Sequence, residues 1–413
     1  MKKIQLLILV LGSALYAAAA ETLVLSQTPW LSNPGATTFS VSFVMPAADT
    51  RTFTVEYRNV LDDGTWNKQS AEPAELEGNK IFQANLKELK PGNSYEYRIS
   101  ASDGAVTENR IFKTLDSTRK QHKIFFNSDI HHRSSMLKFM MGKGVKANCD
   151  LFVLLGDQIG NRMDPNSFVA IFDGFLTDAA KAAKGCWPIV AVRGNHECRG
   201  RGTSTDNWFK VFRDSDSGDR TWQSFRIGPV WYMVLDSADF DSDYQADKVY
   251  PRQKEWIARE LESEACKTAT FRVVLVHIPN SCIDEKIEEL VWDKMGGDLL
   301  KSTDPTKRIH LMVAGHRHRY IRSDAGSPLF KVNCSRFGDN PSGKPNKDLP
   351  YTQVLLDARG NGGVEYCYAI MKATADALVF QAFDGQTLKP IDHFSIAPDG
   401  KVKDLMEVPS FEY

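Results

Sequence analysis

The sequence predicts two domains of different class, an all-β sandwich at the N-terminus and a larger α/β domain after it. The chain has 413 residues, which is more than one compact domain usually contains. Apolar and polar residues alternate up to about residue 113, whereas after residue 120 apolar residues form short continuous runs separated by helical patterns. A hydrophobic content of 42% is sufficient for a core in each domain.

The charge composition argues against two classes of function. Lys and Arg number 51 against 52 Asp and Glu, so the net charge is −1. Non-specific nucleic-acid binding normally needs an excess of basic residues that displaces counterions from phosphates. Attachment to an anionic membrane surface needs a polybasic segment. The composition therefore predicts a soluble globular protein without nucleic acid as a partner.

Residues 1–20 are typical of a secretory signal peptide. Two lysines precede an apolar run at residues 4–11, and three alanines at residues 18–20 offer a cleavage site. The apolar run is well short of the roughly 20 residues of a membrane-spanning helix, which disfavours an uncleaved anchor. We therefore expect an exported protein, periplasmic or extracellular, with no membrane span after signal cleavage.

The seven cysteines do not define a disulfide framework. An exported protein can form disulfides, but an odd number leaves at least one thiol unpaired. We expect one or two disulfides together with buried thiols, and the sequence does not determine the pairs. The cysteines are Cys149, Cys186, Cys198, Cys266, Cys282, Cys334 and Cys367.

Residues 21–115 are predicted to form the β-sandwich. The segments 39–43, 53–57 and 95–99 alternate apolar and polar side chains, and turn signals separate them. The segment 89–95 (LKPGNSY) resembles a turn of fibronectin type III-like domains, in which a Tyr hydroxyl bonds back to the backbone. We therefore expect a fibronectin type III-like domain here.

Residues 120–413 are predicted to form the α/β domain, with a strand-rich part from about residue 340. Six short apolar runs are typical of buried strands, several of them separated by helical stretches. A helix is predicted from Pro251 to Ala265, because Pro favours the first turn of a helix. The six runs are 123–127, 151–155, 189–192, 231–235, 271–276 and 309–313.

A polar cluster accompanies the end of five of these runs. Open α/β sheets bind ligands at the carboxyl ends of their strands, so we expect the clusters to converge on one site. They are Ser128-Asp129-Ile130-His131-His132, Gly156-Asp157-Gln158-Ile159-Gly160, Gly194-Asn195-His196-Glu197, Val276-His277-Ile278-Pro279 and Gly315-His316-Arg317-His318.

The side chains in these clusters are suitable ligands for metal ions. Imidazole, carboxylate and amide groups together suit first-row ions such as iron, zinc and manganese. Seven candidates are too many for one tetrahedral ion and suit two ions that share a carboxylate, an arrangement suited to phosphate-ester hydrolysis. The candidates are Asp129, His131, Asp157, Asn195, His277, His316 and His318.

The five motifs, in this order over about residues 123–337, resemble those of the calcineurin-like metallophosphoesterases. The resemblance implies a four-layer α/β sandwich and two metal ions, divalent or trivalent, bridged by Asp157. A hydroxide shared by the metals would attack phosphorus. His196 resembles the catalytic His that protonates the leaving oxygen, and Glu197 would orient His196. The implied sets are Asp129, His131, Asp157 and His318 for one ion, and Asp157, Asn195, His277 and His316 for the other.

The order of domains is similar to that of the purple acid phosphatases, which also place a β-sandwich before the metal domain. That group has a Tyr three residues after the bridging Asp, and charge transfer from this Tyr to ferric iron gives the colour. This chain has Gly160 at that position, and it has His131 where the group usually has Gly. We therefore expect a related architecture with a non-purple metal site.

Four further polar residues are open to more than one interpretation. His132 adjoins the first motif and either faces substrate or has a structural role. Arg199 and Arg201 could meet a phosphate, although a solvated loop is the simpler expectation. Asp236 ends a predicted strand without a motif, so capping a turn is its expected role.

The leading hypothesis is an exported di-metal phosphomonoesterase acting on a small-molecule phosphate ester. A phosphodiesterase or nucleotide hydrolase would use the same metals and differ only in the loops around the cleft, notably at 199–219 and 281–304. The contrasting hypothesis is a catalytically inactive protein whose sandwich binds a surface partner. Inactive relatives usually lose a ligand or the catalytic His, and because all eight positions are present here, the enzyme is favoured.

Overall fold

The computed structural model describes most of the chain after residue 20. The predicted signal peptide at 1–20, Arg199 and Arg201 lie outside the described residues, as do parts of both cleft loops. The described ranges are 21–62, 64–160, 167–198, 204–213, 220–237, 243–280, 288–327, 329–332, 349–356, 366–408 and 410–412.

The N-terminal part is a β-sandwich of eight strands. They are β1 Trp30–Ser32, β2 Phe39–Pro46, β3 Phe53–Asn59, β4 Asn67–Ser70, β5 Glu72–Leu76, β6 Asn79–Leu86, β7 Ser94–Ala101 and β8 Arg110–Lys113. Two antiparallel four-stranded sheets, β1-β2-β6-β5 and β4-β3-β7-β8, enclose an aromatic core. The Lys90 N–H donates to the Tyr95 hydroxyl at 2.8 Å. The predicted Tyr-to-backbone bond is therefore present.

Fifteen further strands form two larger sheets. They are β9 Gln121–Asn127, β10 Leu151–Leu154, β11 Ile189–Ala191, β12 Gln223–Ile227, β13 Val230–Val234, β14 Phe271–Leu275, β15 Leu311–Ala314, β16 Ile321–Ser323, β17 Leu329–Val332, β18 Thr352–Leu355, β19 Cys367–Thr374, β20 Leu378–Asp384, β21 Pro390–Ile396, β22 Val402–Asp404 and β23 Ser410–Glu412. The seven-stranded sheet has the order β11-β10-β9-β19-β20-β21-β22, and the eight-stranded sheet the order β12-β13-β14-β15-β18-β16-β17-β23.

The two sheets and their helices form four layers. Apolar side chains from both sheets share one core, which includes Phe126 and Val153 of the first and Val273 and Val313 of the second. Helices cover the outer face of each sheet through separate apolar clusters. This arrangement, preceded by the β-sandwich, confirms the predicted fold class.

The helical layers contain seven described α-helices. They are α1 Ser134–Lys146, α2 Phe168–Ile171, α3 Thr177–Ala183, α4 Asn195–Cys198, α5 Ser204–Val211, α6 Asp243–Glu260 and α7 Glu264–Lys267. A π-helical turn at Phe172–Leu176 joins α2 to α3, a second lies at Glu288–Asp293, and a 3-10 turn lies at Gly297–Lys301. Among the described helices, none is long and apolar enough to cross a membrane.

The predicted start of one helix is wrong. Helix α6 begins at Asp243 and contains Pro251 in its interior, whereas the sequence pattern placed Pro251 in the first turn. Tertiary contacts explain the difference. Tyr250, directly before the proline, is fully buried, and its hydroxyl donates to the carbonyl of Ser237 at 2.6 Å. This packing stabilises a turn that proline alone would end.

The cysteines are only partly described. Cys149, Cys186 and Cys266 are free thiols. Cys282 and Cys334 lie outside the described residues, so the expected disulfides stay a prediction.

Candidate metal centre

The five motifs meet at the carboxyl ends of parallel strands in both large sheets. Strands β9, β10 and β11 are parallel neighbours in one sheet, and β14 and β15 are parallel neighbours in the other. Because the two sheets pack face to face, their strand ends open onto a common cleft. All eight predicted site residues lie there, and their roles in metal binding and proton transfer stay predictions.

One group of potential ligands gathers around Asp129. The ligand atoms of Asp129, His131, Asp157 and His318 lie within 4.8 Å of one another. Asp129 Oδ1 is 3.6 Å from His131 Nε2 and 3.5 Å from His318 Nε2. Asp129 Oδ1 and His131 Nε2 are buried and have no hydrogen-bond partner within the described part of the chain. Buried polar atoms of this kind are costly unless something binds them, and a cation between them would satisfy both.

A second group shares Asp157 with the first. The ligand atoms of Asp157, His277 and His316 also lie within 4.8 Å of one another. Asn195 Oδ1 lies 3.1 Å from His277 Nε2 and 3.1 Å from His316 Nδ1. His277 Nδ1 lies 2.8 Å from the carbonyl oxygen of Leu155, which can only accept, so Nδ1 carries the proton. In the neutral ring Nε2 then carries the lone pair that can bind a metal ion.

The buried charges of the site shift one another's pKa values. Burial alone would raise the pKa of Asp129, but His277 and neighbouring histidines hold it well below its ordinary value. Burial would lower the pKa of His277, yet the carboxylates of Asp157 and Asp129 raise it to about 10. A metal ion bound at Nε2 would take the place of a proton there and supply positive charge beside the two carboxylates. The donor set and its charge fit a metal ion.

Five of the seven predicted ligands have left-handed backbone conformations. The φ angles are 54° at Asp129, 47° at His131, 49° at Asp157, 76° at His316 and 54° at His318. Residues other than glycine rarely adopt this region, which costs roughly 1 kcal/mol or more for each of them. Such conformations cluster at functional sites, where they aim side chains that a regular strand end would direct elsewhere.

Two motif glycines are required by close packing against the ligands. A Cβ atom at Gly194 would lie 2.3 Å from Asp157 Oδ1, and one at Gly315 would lie 2.4 Å from Asp129 Oδ2. Any larger residue would therefore displace a carboxylate of the site.

Glu197 binds a different partner from the one expected. Its carboxylate accepts hydrogen bonds from the N–H groups of Asp157 and Gly194, both at 2.8 Å, and of Ile159 at 3.0 Å. Asp157 Oδ1 in turn accepts the N–H of His196 at 2.8 Å. Glu197 thus joins the loops after β10 and β11 and positions the shared Asp157. Burial and the charge of Asp157 raise the pKa of Glu197 to about 7.

His132 has a structural partner. Its Nε2 accepts the N–H of Gly160 at 2.7 Å. A Cβ atom at Gly160 would lie 2.8 Å from the ring of His132, so this imidazole occupies the space into which a residue-160 side chain would extend.

We expect the purified, metal-loaded protein to show no strong visible absorption from charge transfer between Tyr and iron. The reason is that Gly160 replaces the Tyr and the His132 ring fills the space beside it. The visible spectrum of concentrated protein reconstituted with ferric iron checks this. A violet solution would contradict the interpretation of Gly160.

A buried ion pair behind the site was not predicted. The Arg193 guanidinium donates to Asp236 Oδ2 at 2.5 Å, and both side chains are 0% exposed. Gln253 also bonds to the backbone N–H and carbonyl of Asp236 at 2.8 and 2.9 Å. Asp236 therefore pairs with the residue before Gly194 instead of capping a turn. In the sequence, the one feature that could have indicated this ion pair was the charged residue Arg193 directly after the apolar run 189–192.

A four-layer α/β domain that gathers Asp, His and Asn side chains at the strand ends of facing sheets defines a metal-binding hydrolase site. Residues 122–320 match the family Calcineurin-like phosphoesterase. The matched span contains all eight predicted site residues, from Asp129 to His318. This region therefore matches the calcineurin-like phosphoesterases, as the order of its motifs predicts, and the match supports a hydrolase of phosphate esters.

Solved structures share only weak overall likeness with the chain. The phosphoesterase Yfce of E. coli is 13% identical, covers 67% of this chain and 98% of its own, and has a TM-score of 0.30. The fn3 domain of human contactin 1 is 14% identical, covers 26% of this chain and 94% of its own, with a TM-score of 0.19. These low scores carry no argument about function. No curated protein matches the chain.

Proposed function

We propose that this chain is an exported di-metal phosphoesterase that hydrolyses small-molecule phosphate monoesters. The observation that carries the proposal is the shared carboxylate. Asp157 belongs to both groups of converging ligand atoms, as two adjacent ions would require. Iron, zinc and manganese all suit ligands of this kind.

The chain would hold one ion through Asp129, His131, Asp157 and His318, and the other through Asp157, Asn195, His277 and His316. Bound together, two such ions lower the pKa of water to generate a nucleophile and neutralise charge that develops on phosphate oxygens. The protein's own contribution is to fix these ligands before substrate binds.

His196 is the proposed proton donor. Its Nε2 lies 3.5 Å from Asp157 Oδ2, so the imidazole borders both ligand groups, and the residue is only 6% exposed. A His in this place can donate a proton to the leaving oxygen as the bond to phosphorus breaks. The N–H of His196 donates to Asp157, which fixes the backbone of the proton donor to the shared ligand.

Export is proposed from residues 1–20 alone, which lie outside the described part of the chain. A signal peptide, cleaved before Glu21, would deliver the enzyme to phosphate esters outside the cytoplasm. Proteolytic processing can be checked by N-terminal sequencing of the protein secreted from its native host.

We expect purified mature protein to cleave p-nitrophenyl phosphate faster than bis-p-nitrophenyl phosphate and to contain about two metal ions per chain. The assay compares both esters in the same sample, with metals quantified by elemental analysis. Two bound ions and monoester preference support the proposal.

Faster cleavage of the diester would favour a phosphodiesterase or nucleotide hydrolase with the same metal site. Two bound ions without turnover of either ester would indicate a narrow natural substrate. Neither metal nor turnover, even after reconstitution with iron, zinc and manganese, would favour the inactive surface-binding protein.

A further inference from the structure

Strand β2 of the N-terminal sandwich is buried on both faces. In β2, Phe39, Val41 and Phe43 form the sandwich core, as the alternation predicts. The residues between them, Ser40 and Ser42, are nevertheless only 1% and 0% exposed. An independent sandwich would present this polar face to water. Here the α/β domain covers it.

Apolar side chains on the covered face join the helical layer of the α/β domain. Trp30, Leu76 and Ile81 belong to the same apolar cluster as Trp208 of α5 and Phe172 between α2 and α3. The Trp30 ring packs edge-on against Phe172, with ring centroids 5.6 Å apart. The sandwich therefore shares a hydrophobic core with the elements that flank the site.

The sandwich binds the chain directly after α5. Gln83 Nε2 donates to the carbonyl oxygen of Arg213 at 2.8 Å, and Asn33 Nδ2 donates to the same oxygen. The Arg213 guanidinium donates back to the carbonyl of Glu72 at 2.7 Å. Arg213 lies two residues beyond the end of α5, so these hydrogen bonds attach the chain that leaves the helix to the sandwich.

The sandwich also binds the chain directly before β11. The Tyr97 hydroxyl donates to the carbonyl of Gly185 at 2.6 Å in a buried hydrogen bond. Leu31 of β1 forms a parallel bridge with Pro188, and β11 begins at the next residue, Ile189. The described stretches 185–198 and 204–213, together called the anchored segment, are thus each attached to the sandwich.

We propose that the sandwich is a positioning element of the catalytic site, which fixes the anchored segment and with it Asn195 and His196. These two are the only predicted site residues on this segment. A shift of the segment would therefore change their distances to His277 and, through the hydrogen bonds that Glu197 and His196 make with Asp157, would also disturb this shared ligand. The inference rests on the proposed function, in which Asn195 binds an ion and His196 donates a proton.

The test uses a double variant of the full mature chain, Tyr97→Phe with Gln83→Leu, which removes one contact to each stretch of the anchored segment. The matched control is Tyr57→Phe with Gln69→Leu. Tyr57 is the strand partner of Tyr97, and the Gln69 side chain donates at the surface to the carbonyl of its neighbour Ser70 at 3.4 Å, its one hydrogen bond among the described residues. Misplacement of about 1 Å can cost ~10²-fold in rate, so we expect kcat to fall about tenfold or more.

Two readouts separate positioning from a merely structural role. We expect kcat to fall with little change in KM, at a temperature where the variant is fully folded, and deuterium uptake to rise in peptides covering residues 189–198. The control double variant should match the wild type in both. A lowered Tm with unchanged kcat and unchanged deuterium uptake would overturn the proposal.

A failure of the proposed function can be distinguished from a failure of this inference. If the wild type cleaves neither ester, hydrogen exchange still decides whether the sandwich holds the segment. Exchange at 189–198 that is the same in the interface variant and the control would then overturn the inference. Zn²⁺ titration adds a second test, because a displaced Asn195 should weaken binding of the ion it would hold, and unchanged Zn²⁺ binding in the interface variant would count against the inference.

Discussion

Replacing His196 with Ala is expected to lower the turnover of phenyl phosphate at least ~10²-fold while the metal content stays at the wild-type value. The imidazole lies beside the shared ligand, 3.5 Å from Asp157 Oδ2, but it belongs to neither group of converging ligand atoms. The alanine variant keeps the backbone N–H that donates to Asp157 at 2.8 Å. The variant should therefore lose a proton donor without losing the site.

The comparison of two leaving groups identifies the role of His196. Phenolate is a poor leaving group that needs a proton, whereas p-nitrophenolate leaves readily without one. We expect the loss to be much smaller for p-nitrophenyl phosphate. Equal loss on both esters would argue against proton donation. His393→Ala, on a partly exposed strand residue of the same domain, is the control and should keep wild-type turnover.

Replacing Asp157 with Asn is expected to weaken binding of both metal ions together and to abolish most turnover. Asp157 is the one residue shared by the two ligand groups, and His277 Nε2 lies 3.2 Å from its Oδ2. Loss of a residue that only orients a ligand typically costs ~10–100-fold in metal affinity, so loss of a shared ligand should cost at least that for each ion.

Two single-group variants serve as comparisons for Asp157→Asn. Asn195→Ala should weaken one ion and His131→Ala the other, because each residue belongs to one ligand group. Metal content after dialysis against graded chelator concentrations measures all three variants. If Asp157→Asn loses only one ion, the bridging assignment is wrong. A loss of both ions in Asn195→Ala would contradict the separation into two groups.

The sequence was most informative where chemistry follows directly from strand order. A short apolar run predicts a buried strand, and parallel strands bring their carboxyl ends together. Asp129, Asp157 and His277 could therefore be assigned to one cleft from the sequence alone. The buried turn at Tyr250 could not be predicted, because propensity places Pro251 at a helix start and only tertiary packing overrides it.

Contacts between distant segments account for the remaining differences. Nothing adjacent to Glu197 in the sequence shows that its carboxylate accepts three N–H groups from other loops. The sequence also could not predict the burial of Ser40 and Ser42, because strict alternation of apolar and polar residues is equally typical of a strand with one solvent-exposed face. Which faces are covered depends on how the two domains pack, and that is not encoded in local periodicity.

The left-handed conformations of the site bear on how this sequence could change over generations. Asp129, His131, Asp157, His316 and His318 each occupy a backbone region that glycine enters freely and other residues enter at a cost of roughly 1 kcal/mol or more. Glycine at any of the five would relieve this backbone cost but would also remove a side chain of the site. The sequence therefore accepts a cost in backbone free energy at each position in exchange for a potential ligand atom there.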